Sequence, residues 1–116
     1  MAPTTLMDLK TSTSPQGRDS TMGYPMRMCE IISTLDGPSY VVRAALSNPA
    51  GIRNARQAML KSFQYQMLGR GFTFVEILAS CPTYWHKTPK ASMAHIDSVL
   101  AEAFPVKVFR DKGAAP

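Results

Sequence analysis

The sequence has little cysteine, no run of positive charge and no long apolar stretch, and each shortage excludes a class of protein. Two cysteines, Cys29 and Cys81, are too few for the disulfide framework of a small secreted domain. Neither belongs to a CxxC pair, so the chain's own thiols cannot build a metal centre. No apolar run approaches the ~20 residues of a membrane-spanning helix. Asp8 and Lys10 interrupt any signal-like apolar segment near the N-terminus. The expectation is a cytoplasmic protein with no membrane partner. Both glycine-rich phosphate motifs, GxGxxG and GxxxxGK[ST], are missing. Internal repeats and low-complexity tracts are missing too.

Charge excludes less. Thirteen Lys and Arg against eight Asp and Glu give a net charge of +5 and a pI of about 9.5. The cations are scattered and are not interleaved with aromatics, so no nucleic-acid stacking platform is expected. An ordinary basic surface accounts for them. If the charge serves recognition, an acidic protein is the expected partner.

What is present suits one small globular domain: 116 residues, 45% hydrophobic and 18% charged. Residues 1–24 are rich in Thr, Ser, Pro, Gly and Asp and show no periodicity, which reads either as a disordered tail or as an ordered loop that covers something in a larger protein. Pro25 to Leu35 predicts a helix with Met28, Ile31, Ile32 and Leu35 on its inner face. Tyr40, Val41, Val42 and Ala44 predict a buried strand. Asn48 caps a second helix with Pro49 in its first turn. Its apolar stripe is Ile52, Ala55, Met59, Phe63 and Met67, and Gly69 or Gly71 closes it. Phe72, Phe74, Val75, Ile77 and Leu78 form the strongest strand signal. Thr88-Pro89 starts a third helix with Met93, Ile96, Leu100 and Ala103 inward and His95 toward solvent. Val106, Val108 and Phe109 suit a last strand. This alternation predicts a parallel α/β layer. Two or three parallel strands leave edges and faces open, which implies further chain or a partner.

Among the reactive residues, Cys81 stands out. It lies just beyond the second strand, where ligands gather in open α/β sheets. It reads either as a thiolate ligand or nucleophile, or as a small buried residue. Cys29 reads as packing. A Cys81–His86 pair is conceivable, but no orienting third group or oxyanion hole accompanies it. Trp85 is an interface anchor or a cap on the core.

Several segments, taken in order, resemble a known family. They are Met1-Ala2-Pro3-Thr4-Thr5, Thr11-Ser12-Thr13-Ser14-Pro15 and Gly17-Arg18-Asp19. Gly23-Tyr24-Pro25-x-Arg27-Met28-Cys29-Glu30 and Tyr40-Val41-x-Arg43 follow. Gly71-Phe72-x-Phe74-Val75-Glu76-Ile77-Leu78 and Cys81-Pro82-Thr83-x-Trp85 complete the series. Together they resemble the C-terminal part of the β subunit of 2-oxoacid:ferredoxin oxidoreductases, of the 2-oxoglutarate or branched-chain type. Departures are mild: Tyr84 and His86 stand where Asn and Gly are usual, and Gln16 replaces a frequent aromatic.

The resemblance implies an α/β fold, part of a thiamine-diphosphate-binding fold with a short parallel sheet, flanking helices and a long N-terminal loop. Residues 1–24 would be an extended loop near the cofactor, 25–110 the C-terminal part of the binding domain, and 111–116 a tail. It implies thiamine diphosphate, Mg2+ and a [4Fe–4S] cluster in the intact enzyme. The reaction would be oxidative decarboxylation of a 2-oxoacid to acyl-CoA, with electrons passed to ferredoxin. The implied partners are an α subunit, the missing N-terminal part of the β subunit, and ferredoxin. Cys81 matches the fourth cluster cysteine, and Met1, Ala2, Pro3, Thr4 and Thr5 would lie beside the cofactor. The diphosphate and metal motif, a GDG run followed by Asn and Thr-Gly-Gly-Gln, is absent, as are the other cluster cysteines. The chain by itself is therefore expected to bind no cofactor and to be inactive. The alternative expectation is a non-catalytic remnant or small interaction module.

Overall fold

A computed structural model describes residues 2–113. Met1, one of the expected cofactor-proximal residues, lies outside the described residues, as do 114–116. The elements are a 3-10 turn (Ser20–Met22), α1 (Met28–Ser33), β1 (Tyr40–Ala45), α2 (Pro49–Met67), β2 (Thr73–Leu78), α3 (Pro82–Trp85), α4 (Pro89–His95), a π-helical turn (Ile96–Leu100), α5 (Ala101–Ala103) and β3 (Val108–Asp111).

The sheet has the order β2-β1-β3. β1 and β2 are parallel, pairing Tyr40 with Thr73 through Ala45 with Leu78. β3 departs from the expected all-parallel sheet: it runs antiparallel to β1, with Tyr40 opposite Asp111 and Val41 opposite Arg110. The cause lies in the packing of the preceding helical stretch. Ile96, Leu100 and Phe104 bury against Ala45 and Leu78, the last residues of β1 and β2. The chain is thus held at the C-terminal end of the sheet and enters β3 from there. Arg43 N–H donates to the Lys107 carbonyl at one end, and Lys112 N–H to Ser39 at the other.

All six residues of β1 are buried, as the apolar run implies for a central strand. Tyr40 and Val42 pack with Ala58 and Tyr65 of α2 on one face. Arg43 and Ala45 point to the other, toward α1 and Phe104. Arg43 is 1% exposed. It donates to Glu30 of α1 (2.5 and 3.0 Å) and to Glu76 of β2 (2.7 Å). Its guanidinium lies 5.3 Å from the Phe104 ring centre and 5.0 Å from that of Phe109. A buried cation needs such partners to offset its lost hydration.

α2 has the expected N-cap: the Asn48 side chain accepts from Gly51 N–H at 2.9 Å. Its inner face differs from the expected stripe. The buried residues are Ala55, Ala58, Ser62 and Tyr65. Small side chains let the helix sit low on the sheet, where Ser62 Oγ meets Thr73 Oγ1 at 2.7 Å and Tyr65 meets Tyr40 edge-on at 5.6 Å. Of the predicted stripe only Ala55 is buried; Ile52, Met59, Phe63 and Met67 remain exposed. α1 likewise starts at Met28 rather than Pro25: Arg27, its N-cap, has φ −97° and ψ 78°, outside the helical region, and Met26 N–H donates to the Pro3 carbonyl. Its buried residue is Cys29, while Ile31 and Leu35 are exposed.

Residues 2–24 are fastened by Arg18, which is 5% exposed. Its Nε donates to the Gly23 carbonyl at 2.7 Å and Nη2 to that of Tyr24 at 3.0 Å. Nη1 donates to Ala2, Pro3 and Thr5 carbonyls at 2.9–3.2 Å. One planar fork therefore joins the two ends of the loop. Gly17, at φ +90°, lies so close to Asp8 that an added Cβ would sit 2.9 Å from its carbonyl oxygen.

Candidate functional site

The loop and the C-terminal end of β2 together form the candidate site. Thr4, Thr5 and Leu9 face Ile77, Ala79 and Trp85 across a cavity of about 290 Å³. Glu76 also lines it, and among the described residues no cation does. Thr5 is buried. Its carbonyl is one of the Arg18 acceptors, so the guanidinium sets the position of this stretch.

Cys81 precedes α3 and is half-buried. Its carbonyl accepts from Trp85 N–H at 3.0 Å, which closes the short helix over it. The side chain makes no hydrogen bond among the described residues. The loop reaches this corner too: Ser12 N–H donates to the Tyr84 carbonyl at 3.2 Å. His86 adopts a left-handed backbone, φ 52°, and its Nε2 faces Ser12 Oγ at 3.5 Å. No hydrogen bond links His86 to Cys81, so the conceivable nucleophile pair does not form.

His95 does not face solvent as expected. Trp85, the last residue of α3, packs onto it edge-on at 5.0 Å, and the ring is half-buried. Its Nε2 is buried with no partner among the described residues. Burial lowers its pKa, with Lys87 adding a smaller effect in the same direction.

Cys29 is a different thiol from Cys81. It is wholly buried on α1, and its S–H donates to the Val42 carbonyl at 3.5 Å. Burial, then the Glu76 carboxylate, push its pKa up to about 12. Only the thiolate is a nucleophile. With iodoacetamide at about pH 8, Cys81 should be alkylated and Cys29 spared until the chain is unfolded. Peptide mass mapping with and without urea checks this; equal labelling of both thiols in the native chain would contradict it.

The residues present do not fit a complete cofactor site. A [4Fe–4S] cluster takes four thiolates, and the chain has two cysteines. They sit on different elements, and no group of three or more His, Cys, Asp or Glu able to hold a metal exists among the described residues. The 290 Å³ cavity has Thr4, Thr5 and Glu76 in its lining, the last paired with Arg43, and no cation for a diphosphate among the described residues. Arg18, the nearest guanidinium to Thr5, already spends its donors on carbonyls. A larger cavity of about 610 Å³ lies elsewhere, between α2, β1 and β3, with Asn54, Gln57, Lys61 and Lys107 among its lining. Cys81 does not border it. Among the described residues no helix is long and apolar enough to cross a membrane.

The geometry defines a class first: an α/β unit whose loop-covered corner, at the strand ends, carries one accessible thiol. Comparison with known proteins then narrows the class. The chain is 40% identical over 115 residues to the ketoisovalerate oxidoreductase subunit VorA of Methanothermobacter thermautotrophicus. It is 38% identical over the same span to VorA of Methanothermobacter marburgensis. These alignments take in 98% of this chain and 24% of each relative, so the chain spans about a quarter of their length. A further match, 34% over 74 residues, is to the 2-oxoglutarate synthase subunit KorB of M. thermautotrophicus, covering 64% of this chain and 22% of that one. No protein-family model matches the chain, and no solved structure is significantly similar. The chain is homologous to a section of 2-oxoacid oxidoreductase subunits, in agreement with the resemblance drawn from its motifs.

Proposed function

We propose that this chain is the C-terminal section of the thiamine-diphosphate-binding β subunit of a 2-oxoacid:ferredoxin oxidoreductase. In that reading the intact assembly decarboxylates a 2-oxoacid oxidatively, forms acyl-CoA and passes electrons to ferredoxin. Thiamine diphosphate supplies the carbanion chemistry when bound. The contribution of this chain is scaffold and one ligand. Arg18 holds the Thr4–Thr5 stretch over the end of β2, and Cys81 supplies one of four cluster thiolates. The branched-chain subtype is favoured over the 2-oxoglutarate one, because the VorA relatives match more of the chain at higher identity.

The observation that carries this reading is the 40% identity to VorA over 98% of the chain. The position of Cys81, half-buried and without a hydrogen bond at the strand end, supports its role as a ligand contributor.

The same reading makes the chain inactive by itself. Anaerobic reconstitution with iron and sulfide should leave no stable cluster absorbance in the purified chain, and calorimetry with thiamine diphosphate and Mg2+ should register no binding. A stable cluster in the purified monomer would sink the assignment of Cys81 as one ligand among four.

A further inference from the structure

Cys81 sits at the head of a helix that cannot hold itself in place. α3 has four residues, its N-cap Cys81 makes no side-chain cap bond, and it ends on His86 in the left-handed region. One helical turn is far too short to be stable unaided. The place of the thiol is therefore set by whatever fastens α3 to the rest of the fold.

Two contacts do so. From the loop, Ser12 N–H donates to the Tyr84 carbonyl at 3.2 Å, which fixes one backbone point and leaves the Tyr84 side chain exposed. From the other side, Trp85 packs against the core cluster of Ala45, Leu78, Ile96, Leu100 and Phe104. The same ring meets His95 of α4 edge-on, with centres 5.0 Å apart and planes at 61°. Edge-to-face pairs at this separation are favourable beyond the area they bury. Trp85 N–H also donates to the Cys81 carbonyl at 3.0 Å, so a shift of Trp85 passes to Cys81 across a single turn.

His95 is firmly mounted where α3 is not. It is the last residue of α4 before the backbone widens into the π-helical turn. Ile96 and Leu100 in that turn are buried in the core. Single π turns within helices are frequent at functional sites. The Nε2 atom of His95 is buried and has no partner among the described residues. A hydrogen bond at Nε2 therefore does not fix the ring, and its contact with Trp85 does.

We propose that His95 is a positioning residue for Cys81: its ring holds Trp85, and Trp85 holds α3 with the thiol at its head. The bearing on the reaction rests on the reading of Cys81 as a ligand contributor, while the coupling of His95 to the thiol is read in the chain alone.

The rate of Cys81 alkylation by iodoacetamide, followed by peptide mass mapping, measures that coupling. His95→Ala and the milder His95→Gln should each raise it about ten-fold by letting α3 open locally, with Cys29 still spared. Trp85→Ala should do the same, and the double variant Trp85→Ala, His95→Ala should add nothing further, as expected of two residues that act through one contact. His95→Phe keeps an aromatic edge against Trp85 and should restore the wild-type rate. Trp85 is the chain's one tryptophan, so its emission reports the same contact. The emission maximum should move to longer wavelength in His95→Ala and His95→Gln and stay in place in His95→Phe. Unchanged alkylation and emission in both His95→Ala and His95→Gln would overturn the proposal. So would an acceleration in His95→Phe equal to that in His95→Ala, or labelling of Cys29 that rises together with Cys81. With this chain in place of the matched segment of M. thermautotrophicus VorA, Cys81→Ser and His95→Gln should both lower the iron content. Full iron in the Cys81→Ser protein would defeat the ligand reading. Iron lost in Cys81→Ser and fully kept in His95→Gln would defeat the positioning role alone.

Discussion

Replacing Arg43 by methionine should destabilise the chain by about 3–5 kcal/mol, the cost of removing one partner from a buried ion cluster. The side chain is fully buried, and Glu76, at 12% side-chain exposure, has little access to water that could replace it. The variant leaves Glu76 facing a methyl group and frees Glu30 from its two hydrogen bonds. Arg43→Lys should rescue little, because a single ammonium cannot serve carboxylates on α1 and β2 and the Pro105 carbonyl with one planar fork. The triple variant Arg43→Met, Glu30→Leu, Glu76→Leu should regain most of the loss, since no charge is then left unpaired. Urea denaturation of the four proteins measures these differences. A change below about 1 kcal/mol for Arg43→Met would show that the cluster adds no specific stability.

The same cluster predicts the direction of the acid response. The hydrogen bonds from Arg43 hold the Glu30 carboxyl below its ordinary pKa, against an opposing effect of burial. A carboxyl depressed in the folded state gives stability that is complete above its unfolded pKa, about 4.3, and is lost as pH falls further. Stability should therefore decline with acidification, and the decline should be smaller in the triple variant.

The second large effect belongs to Arg18. Its Nε and both Nη atoms donate to five backbone carbonyls, and no carboxylate pairs with it among the described residues. Hydrogen bonds from a charged donor are worth about 1.5–3 kcal/mol each when lost from a buried setting. Arg18→Ala should therefore release residues 2–24 as a unit. Protection of the Asp8 and Met26 amides, which bond to Arg18 and Pro3 carbonyls, should fall about a hundred-fold. The sheet amides should keep their protection, since Arg18 touches none of them. Arg18→Lys should recover a minor part, because an ammonium cannot span carbonyls at both ends of the loop. If the Asp8 and Met26 amides stay protected in Arg18→Ala, the guanidinium is not what fastens the loop.

These two arginines mark how far the sequence could be read. β2 was legible because its apolar run from Phe72 to Leu78 lies between glycine and proline signals, and α2 because Asn48 and Pro49 announce its start. Which face of α2 is buried was not legible. Periodicity identifies an apolar stripe, and burial is then assumed; here Ala55, Ala58 and Ser62 touch the sheet while Met59 and Phe63 stay uncovered. The direction of β3 was hidden for another reason. A strand pattern carries no direction, and Ile96, Leu100 and Phe104 decide it by packing at one end of the sheet. Arg18 entered only as part of a Gly-Arg-Asp motif, since a lone cation in a polar segment carries no sign of the carbonyls that will enclose it. Gly17 beside it, with its positive φ, was the one local signal of a tight approach. His95 was misplaced because the residue that covers it, Trp85, arrives from a separate short helix, α3.

The central claim is that this chain can stand in for one quarter of an oxidoreductase subunit and supplies a cluster ligand through Cys81. Exchange of the matched segment of M. thermautotrophicus VorA for this chain tests it most directly. The chimeric enzyme, purified anaerobically with its partner subunits, should reduce a viologen dye with ketoisovalerate and coenzyme A, and the Cys81→Ser chimera should lose at least nine-tenths of that rate together with part of its iron. A chimera that assembles without activity, or a Cys81→Ser form with full iron and full rate, would contradict it.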